Sequence, residues 1–196
     1  IRAGFGPLLD AMLSQAQNQI HLLVQVGPFA DLDLTCRAVD RFHRLARAVH
    51  GYVELNRGSH WSQVIAALTK TVSARVEPYL RNVVTDVNKA LRRHREGTER
   101  FDSDQLYTAL SGVYLLATVR EARDSLAVNA LFEQTWTQVG QALELHIQRC
   151  LDALRENPGD RIMSERVAAG IKMAELRFNT EYADVLRRAK ETAERR

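Results

Sequence analysis

Apolar side chains recur along this chain every three or four positions, the period of helices that each bury one side. Phe5, Leu8, Leu9, Met12, Leu13, Ala16, Ile20, Leu23 and Val24 trace a first stripe, which Gly27-Pro28 ends. Pro28 cannot donate to a helical ladder, and Asp31 or Asp33 offers the N-cap of the next helix. That second helix is predicted to reach about Asn56, with Ala38, Val39, Phe42, Leu45, Ala46, Val49 and Val53 facing inward. Arg57-Gly58 supplies its C-cap, and Ser59 an N-cap for the third.

The third stripe is long: Trp61, Val64, Ile65, Leu68, Val72, Val76, Tyr79, Leu80, Val83, Val84, Val87 and Leu91. Its register survives Pro78, which predicts one long helix kinked there rather than two helices and a loop. Residues 97–102 form the best candidate for a sub-domain boundary. Asp102 or Ser103 then caps a fourth helix carrying Leu106, Leu110, Val113, Tyr114 and Ala117, with a weak break at Asp124-Ser125. A fifth carries Leu131, Phe132, Val139, Leu143, Ile147, Cys150, Leu151 and Leu154 up to the turn Asn157-Pro158-Gly159-Asp160. A final helix, bent at Asn179-Thr180, carries Val167, Ile171, Ala174, Phe178, Tyr182, Val185 and Ala189. No segment alternates like a strand. The expected fold is all-α: six or seven long, mostly antiparallel helices in an elongated bundle.

Composition adds limits to this picture. At 196 residues, with 45% apolar and 26% charged side chains, the chain suits a single globular helical domain over 1–196. No apolar run is long enough to span a bilayer. The sequence opens on Ile1 rather than Met, so a segment of a larger protein is expected. Two cysteines make no disulfide framework, which fits a reducing compartment such as the cytoplasm. Cys150 falls in the apolar register of its helix, whereas Cys36 lies off the centre of its stripe and is expected to be the exposed thiol. The net charge of +3 is unevenly divided: residues 1–98 hold 13 Lys/Arg against 8 Asp/Glu, and residues 99–196 hold 14 against 16. That is a weaker excess than a dedicated duplex-binding module carries.

The sharpest candidate for chemistry is RAVDRFHRLAR, residues 37–47. At about 100° per residue, Arg37, Arg41, Arg44 and Arg47 fall within roughly one 120° arc, opposite the apolar face. Arginine's planar fork of donors would grip a carboxylate or phosphate there. Asp40 lies inside the arc and Asp33 beside it, so part of the stripe is expected to be salt-bridged. A second cluster, Lys89, Arg92, Arg93 and Arg95, crowds the C-terminal end of the long helix, where cations meet the negative end of the dipole. Trp61, just after a Gly-Ser turn, is the aromatic placed to act as a surface anchor.

Catalytic signatures are not legible. His146 and Cys150 stand at ligand spacing but in the apolar register, and no HExxH, paired CxxC or repeated Glu-x-x-His occurs. No serine sits in a GxSxG elbow, and Gly4 and Gly6 lack the lysine and strand of a phosphate loop. Neither cofactor nor metal is expected. The predicted role is a non-catalytic interaction module, scaffold-like, docking a protein partner through Arg37, Arg41, Arg44, Arg47, Lys89, Arg92, Arg93, Arg95 and Trp61. The alternatives are an effector or ubiquitin-ligase-type domain that recruits a carrier enzyme without its own nucleophile and, more weakly, phosphate or nucleic-acid binding.

Overall fold

The computed structural model describes residues 6–24, 32–52, 59–92 and 102–195. Seven α-helices account for nearly all of them: α1 (Gly6–Val24), α2 (Leu32–Tyr52), α3 (His60–Leu91), α4 (Ser103–Ala122), α5 (Asn129–Glu156), α6 (Arg161–Arg177) and α7 (Thr180–Glu194). A single 3-10 turn, Arg123–Ser125, follows α4, and no strand occurs among the described residues. The helices pack against one another as an all-α bundle.

The chain divides into two compact units, Ile1–Pro78 with Thr118–Ala130, and Tyr79–Ala117 with Leu131–Arg196. Three helices, α3, α4 and α5, contribute residues to both. The expected boundary at 97–102 falls, except for Asp102, outside the described residues. Helix α3 runs unbroken through Pro78. A proline inside a helix costs about 3 kcal/mol. Val72 and Val76 before it, and Leu80, Val83 and Val87 after it, are all fully buried. Each such side chain gains roughly 1.5–3 kcal/mol on burial, so packing overrides the local penalty.

In the first unit, Leu9 and Leu13 of α1, Val39, Phe42, Ala46 and Val49 of α2, and Ile65, Leu68, Val72 and Val76 of α3 form the core. Ser59 Oγ accepts the Ser62 N–H at 3.3 Å and starts α3. Ser73 Oγ accepts the Ala127 N–H at 2.8 Å, which ties the stretch after the 3-10 turn to α3. The second unit is organised on α5, whose Phe132, Val139, Leu143, Ile147, Cys150, Leu151 and Leu154 are buried. Gly170 lets α6 approach α5 closely, and Gly112 lets α4 approach Val83 of α3.

Local signals behave as their chemistry requires. Asp102 Oδ1 accepts from the Asp104 and Gln105 N–H groups at 3.0 and 3.2 Å, capping α4. Asp160 Oδ1 accepts the Met163 N–H at 3.0 Å after the Asn157–Asp160 turn. The last segment differs from expectation, because it is two helices rather than one bent one. Asn179 is extended and its Oδ1 accepts the Tyr182 N–H at 2.8 Å, so it caps a new helix that packs back on α6. Ser164 Oγ and Lys190 Nζ both donate to Glu194 Oε1 at 2.6 Å, fastening the two together.

Other expectations are corrected by burial. Cys36 is not an exposed thiol; it is 4% exposed, one turn before Val39 on the buried side of α2, beside the equally buried Thr35. Leu8, Tyr114 and Val185 belong to apolar stripes yet are exposed. In each case the apolar arc is wider than the contact. Helix α7 is seated through Ala183, Leu186 and Ala193, which turns Val185 to solvent.

Candidate basic face on helix α2

Helix α2 begins with Asp33 in its first turn and carries its arginines opposite the buried Val39–Phe42–Ala46–Val49 side. Arg37 pairs with Asp33 one turn earlier. Arg44 pairs with Asp40, Nη2 to Oδ2 at 2.9 Å and Nε to Oδ1 at 3.2 Å. Both pairs are solvent-exposed and at i,i+4 spacing, so each contributes only about 0.3–0.5 kcal/mol and yields readily to a better partner. Arg47 is exposed and has no ion-pair partner among the described residues.

Arg41 stands apart from the other three. It lines a cleft of about 360 Å³ whose described walls also include Met12, Gln15 and Ala16 of α1 and Ala38, Phe42 and Leu45 of α2. At about 100° per residue, Arg37 and Arg44 lie roughly 40° and 60° farther round α2 from the cleft than Arg41, and Arg47 roughly 120°. Arg41 is thus the arginine of the stripe that lines the cleft; Arg37 and Arg44 lie behind it, and Arg47 turns away. This apolar depression could not be read from the sequence. Ala38 and Leu45 look like ordinary core positions there, and only the docking of α1 leaves them half-exposed.

The second basic cluster is less complete. Lys89 and Arg92 are exposed at the C-terminal end of α3, in the other unit, while Arg93 and Arg95 lie outside the described residues. Trp61 is half-buried: its Nε1–H donates to Asp10 Oδ1 at 2.8 Å and its ring lies against Gly6. The indole thus fastens the start of α3 to α1. Trp61→Phe keeps a ring but removes the donor, and is expected to destabilise this contact by about 1 kcal/mol. Amide exchange in α1 should accelerate roughly fivefold; unchanged protection would show that the bond contributes nothing.

Three histidines are engaged structurally. His43 Nδ1 lies 2.9 Å from Ser125 Oγ, a pairing of residues 82 apart that sequence spacing could not reveal. A serine beside an imidazole is half of a nucleophile–base set. Among the described residues no carboxylate bonds the other ring nitrogen, and the nearby Ala127 N–H is already committed to Ser73. The pair therefore links α2 to the 3-10 turn. His50 Nδ1 contacts the Ala46 carbonyl at 2.7 Å, within its own helix.

His146 is buried and its Nε2 lies 2.9 Å from Asn88 Oδ1. Burial, and then the charges of Arg149 and Arg92, lower its pKa below the ordinary imidazole value. The neutral ring donates its Nε2–H to the amide oxygen. Because the folded chain binds this proton less readily than the unfolded chain, stability is fully present above pH 6.5 and is lost as pH falls from there through the folded pKa. Urea midpoints at pH 7.5 and 5 should diverge more for the wild type than for His146→Gln. Equal divergence would remove His146 as the cause. No group of three metal-ligating side chains occurs among the described residues.

A further cluster, invisible in the sequence, surrounds Arg177. Its Nε–H donates to the Trp136 carbonyl at 2.7 Å, and its guanidinium lies 4.2 Å from the Trp136 ring centre and 4.9 Å from that of Phe178. Gly140 makes room, since a methyl group there would sit 2.9 Å from Arg177 Nη2. These contacts hold the end of α6 on α5. Among the described residues no helix is long and apolar enough to cross a membrane. No family model matches this chain, no curated protein matches it in sequence, and no solved structure matches its fold.

Proposed function

We propose that the chain is a non-catalytic helical module that docks a protein partner through the basic face of α2. One observation carries this reading: Arg41 forms part of the wall of an apolar cleft, with Arg37 and Arg44 behind it on the same side of the helix. Apolar surface beside fork-shaped cations is the composition of an interface centre, where arginine and buried apolar anchors supply most of the binding energy. A purely solvated charged face would need no depression next to it. Lys89 and Arg92 would then serve as a secondary basic contact.

A recruiter of a carrier enzyme, effector-like or ubiquitin-ligase-like, is the second reading. The burial of both Cys36 and Cys150 favours it over any version with a thiol relay, because such a domain acts by position alone. Two cysteines outside any disulfide also suit a reducing compartment such as the cytoplasm. Nucleic acid is disfavoured, as among the described residues no exposed aromatic accompanies the arginines.

The test is charge reversal. Arg41→Glu with Arg44→Glu should abolish capture of a crosslinked partner while the helical circular dichroism stays unchanged. Capture that survives the reversal removes α2 from the interface. A steep loss of binding with rising salt would instead favour a polyanion.

A further inference from the structure

We infer that the cleft between α1 and α2 receives one amphipathic helix of a protein partner, with apolar side chains in the cleft and a carboxylate on Arg41. This rests on the docking face proposed above and adds its occupant.

The volume is the first reason. A cavity of about 150 Å³ holds a benzene-sized group, so about 360 Å³ takes roughly two large apolar side chains. The walls continue beyond it. Leu8 lies one turn before Met12 on α1, and Leu34 one turn before Ala38 on α2; both are exposed leucines on the cleft side of their helices. From Leu34 to Leu45 the α2 wall rises eleven residue steps, about 16 Å at 1.5 Å per residue. That length accommodates anchors at i, i+4, i+7 and i+11 of an incoming helix.

The kind of backbone follows from the walls. An extended peptide is normally captured by adding to a sheet edge, and the described residues contain no sheet. Two packed helices instead offer the groove into which the ridge of a third fits.

Charge then selects the partner. Beyond its apolar residues the α2 rim presents Arg41, with Arg37 and Arg44 behind. Asp33 and Asp40 lie on the far side of those arginines, away from the cleft. The α1 rim presents Leu8, Met12, Gln15 and Ala16, none of them charged. The complement is a helix with an apolar face, an acidic flank toward α2 and an uncharged flank toward α1. Arginine's planar guanidinium suits a carboxylate better than the point charge of a lysine would at this position.

The probe is a labelled, lactam-stapled peptide of about eighteen residues with leucines at i, i+4, i+7 and i+11 and glutamates along one flank. Its twin carries lysines in place of the glutamates. Fluorescence anisotropy with the whole chain should show the Glu peptide binding at least tenfold more tightly than the twin. Arg41→Glu should reverse that order, and Ala16→Trp, which fills the cleft, should abolish binding of both. Should the tryptophan disturb folding, the reversal by the surface substitution Arg41→Glu still decides.

Equal affinity for the twins, no binding of either, or indifference to Arg41→Glu overturns the proposal. So does an Arg41-dependent preference for phosphatidylserine vesicles over the peptide. Self-association that Ala16→Trp abolishes would assign the cleft to a second copy and equally overturn it. Absent peptide binding combined with partner capture that charge reversal still abolishes would sink the helix occupant alone. Capture indifferent to the reversal would sink the docking face as well.

Discussion

Leu143→Ala is expected to cost about 2–5 kcal/mol of stability, enough to bring a typical domain near its unfolding threshold. Leu143 lies in the middle of α5 with none of its surface exposed, one helical turn from Val139 on one side and Ile147 on the other. Part of the loss is the transfer free energy of the deleted carbons. The rest is the cavity, which grows with the failure of the surroundings to collapse. Collapse is difficult here, because α5 is also held by Cys150 Sγ donating to the Leu91 carbonyl at 3.4 Å and by the His146–Asn88 pair. The value should therefore sit in the upper half of the range. Urea denaturation followed by circular dichroism measures it, and a change below about 1 kcal/mol would mean that α5 is not the centre of its unit.

Gly170→Leu should be comparably severe, and the smaller Gly170→Ala shows why. An alanine methyl at 170 would lie 2.8 Å from Ile147 Cγ1 and 3.3 Å from its Cδ1. Cγ1 can move only by rotating χ1, which a helix largely confines to one rotamer for a β-branched residue, so α6 must lift from α5. Overpacking of that kind costs about 1–3 kcal/mol, and helix propensity returns only about 1 kcal/mol when glycine is replaced by alanine. Gly170→Ala should thus be mildly destabilising and Gly170→Leu destabilising by about 3 kcal/mol or more. Gly140→Ala is the control. Its methyl would meet the far end of the Arg177 side chain, which can move at the cost of its stacking on Trp136 and Phe178. That loss and the propensity gain nearly cancel, and a near-neutral result is expected. Matching values at the two glycines would contradict the close α5–α6 contact.

The contrast between the two glycines also marks where the sequence stops being informative. The helices were legible because burial is periodic: Val72 to Val87 keep register across Pro78, and Asp102 and Asp160 announce the ends they cap. Asn179 carried the same kind of signal as a cap, but Phe178 and Tyr182 continue the apolar stripe through it and mask the break. Cys36 was misplaced because the centre of the α2 contact depends on what α2 packs against. The ion pairs Arg37–Asp33 and Arg44–Asp40 could be anticipated from i,i+4 spacing. Arg41 could not be told from its neighbours in the stripe, since its distinction arises from Met12 and Ala16 across the cleft. The Arg177–Trp136 bond and the His43–Ser125 pair join residues 41 and 82 positions apart, and only the fold brings them together.

The most direct measurement of the docking account is an amide chemical-shift map of the whole chain titrated with the glutamate-flanked peptide. Perturbations should centre on Met12, Ala16, Ala38, Arg41 and Leu45 and vanish in Arg41→Glu. Shifts centred instead on Lys89 and Arg92 or on α7, or a pattern indifferent to Arg41→Glu, would contradict it.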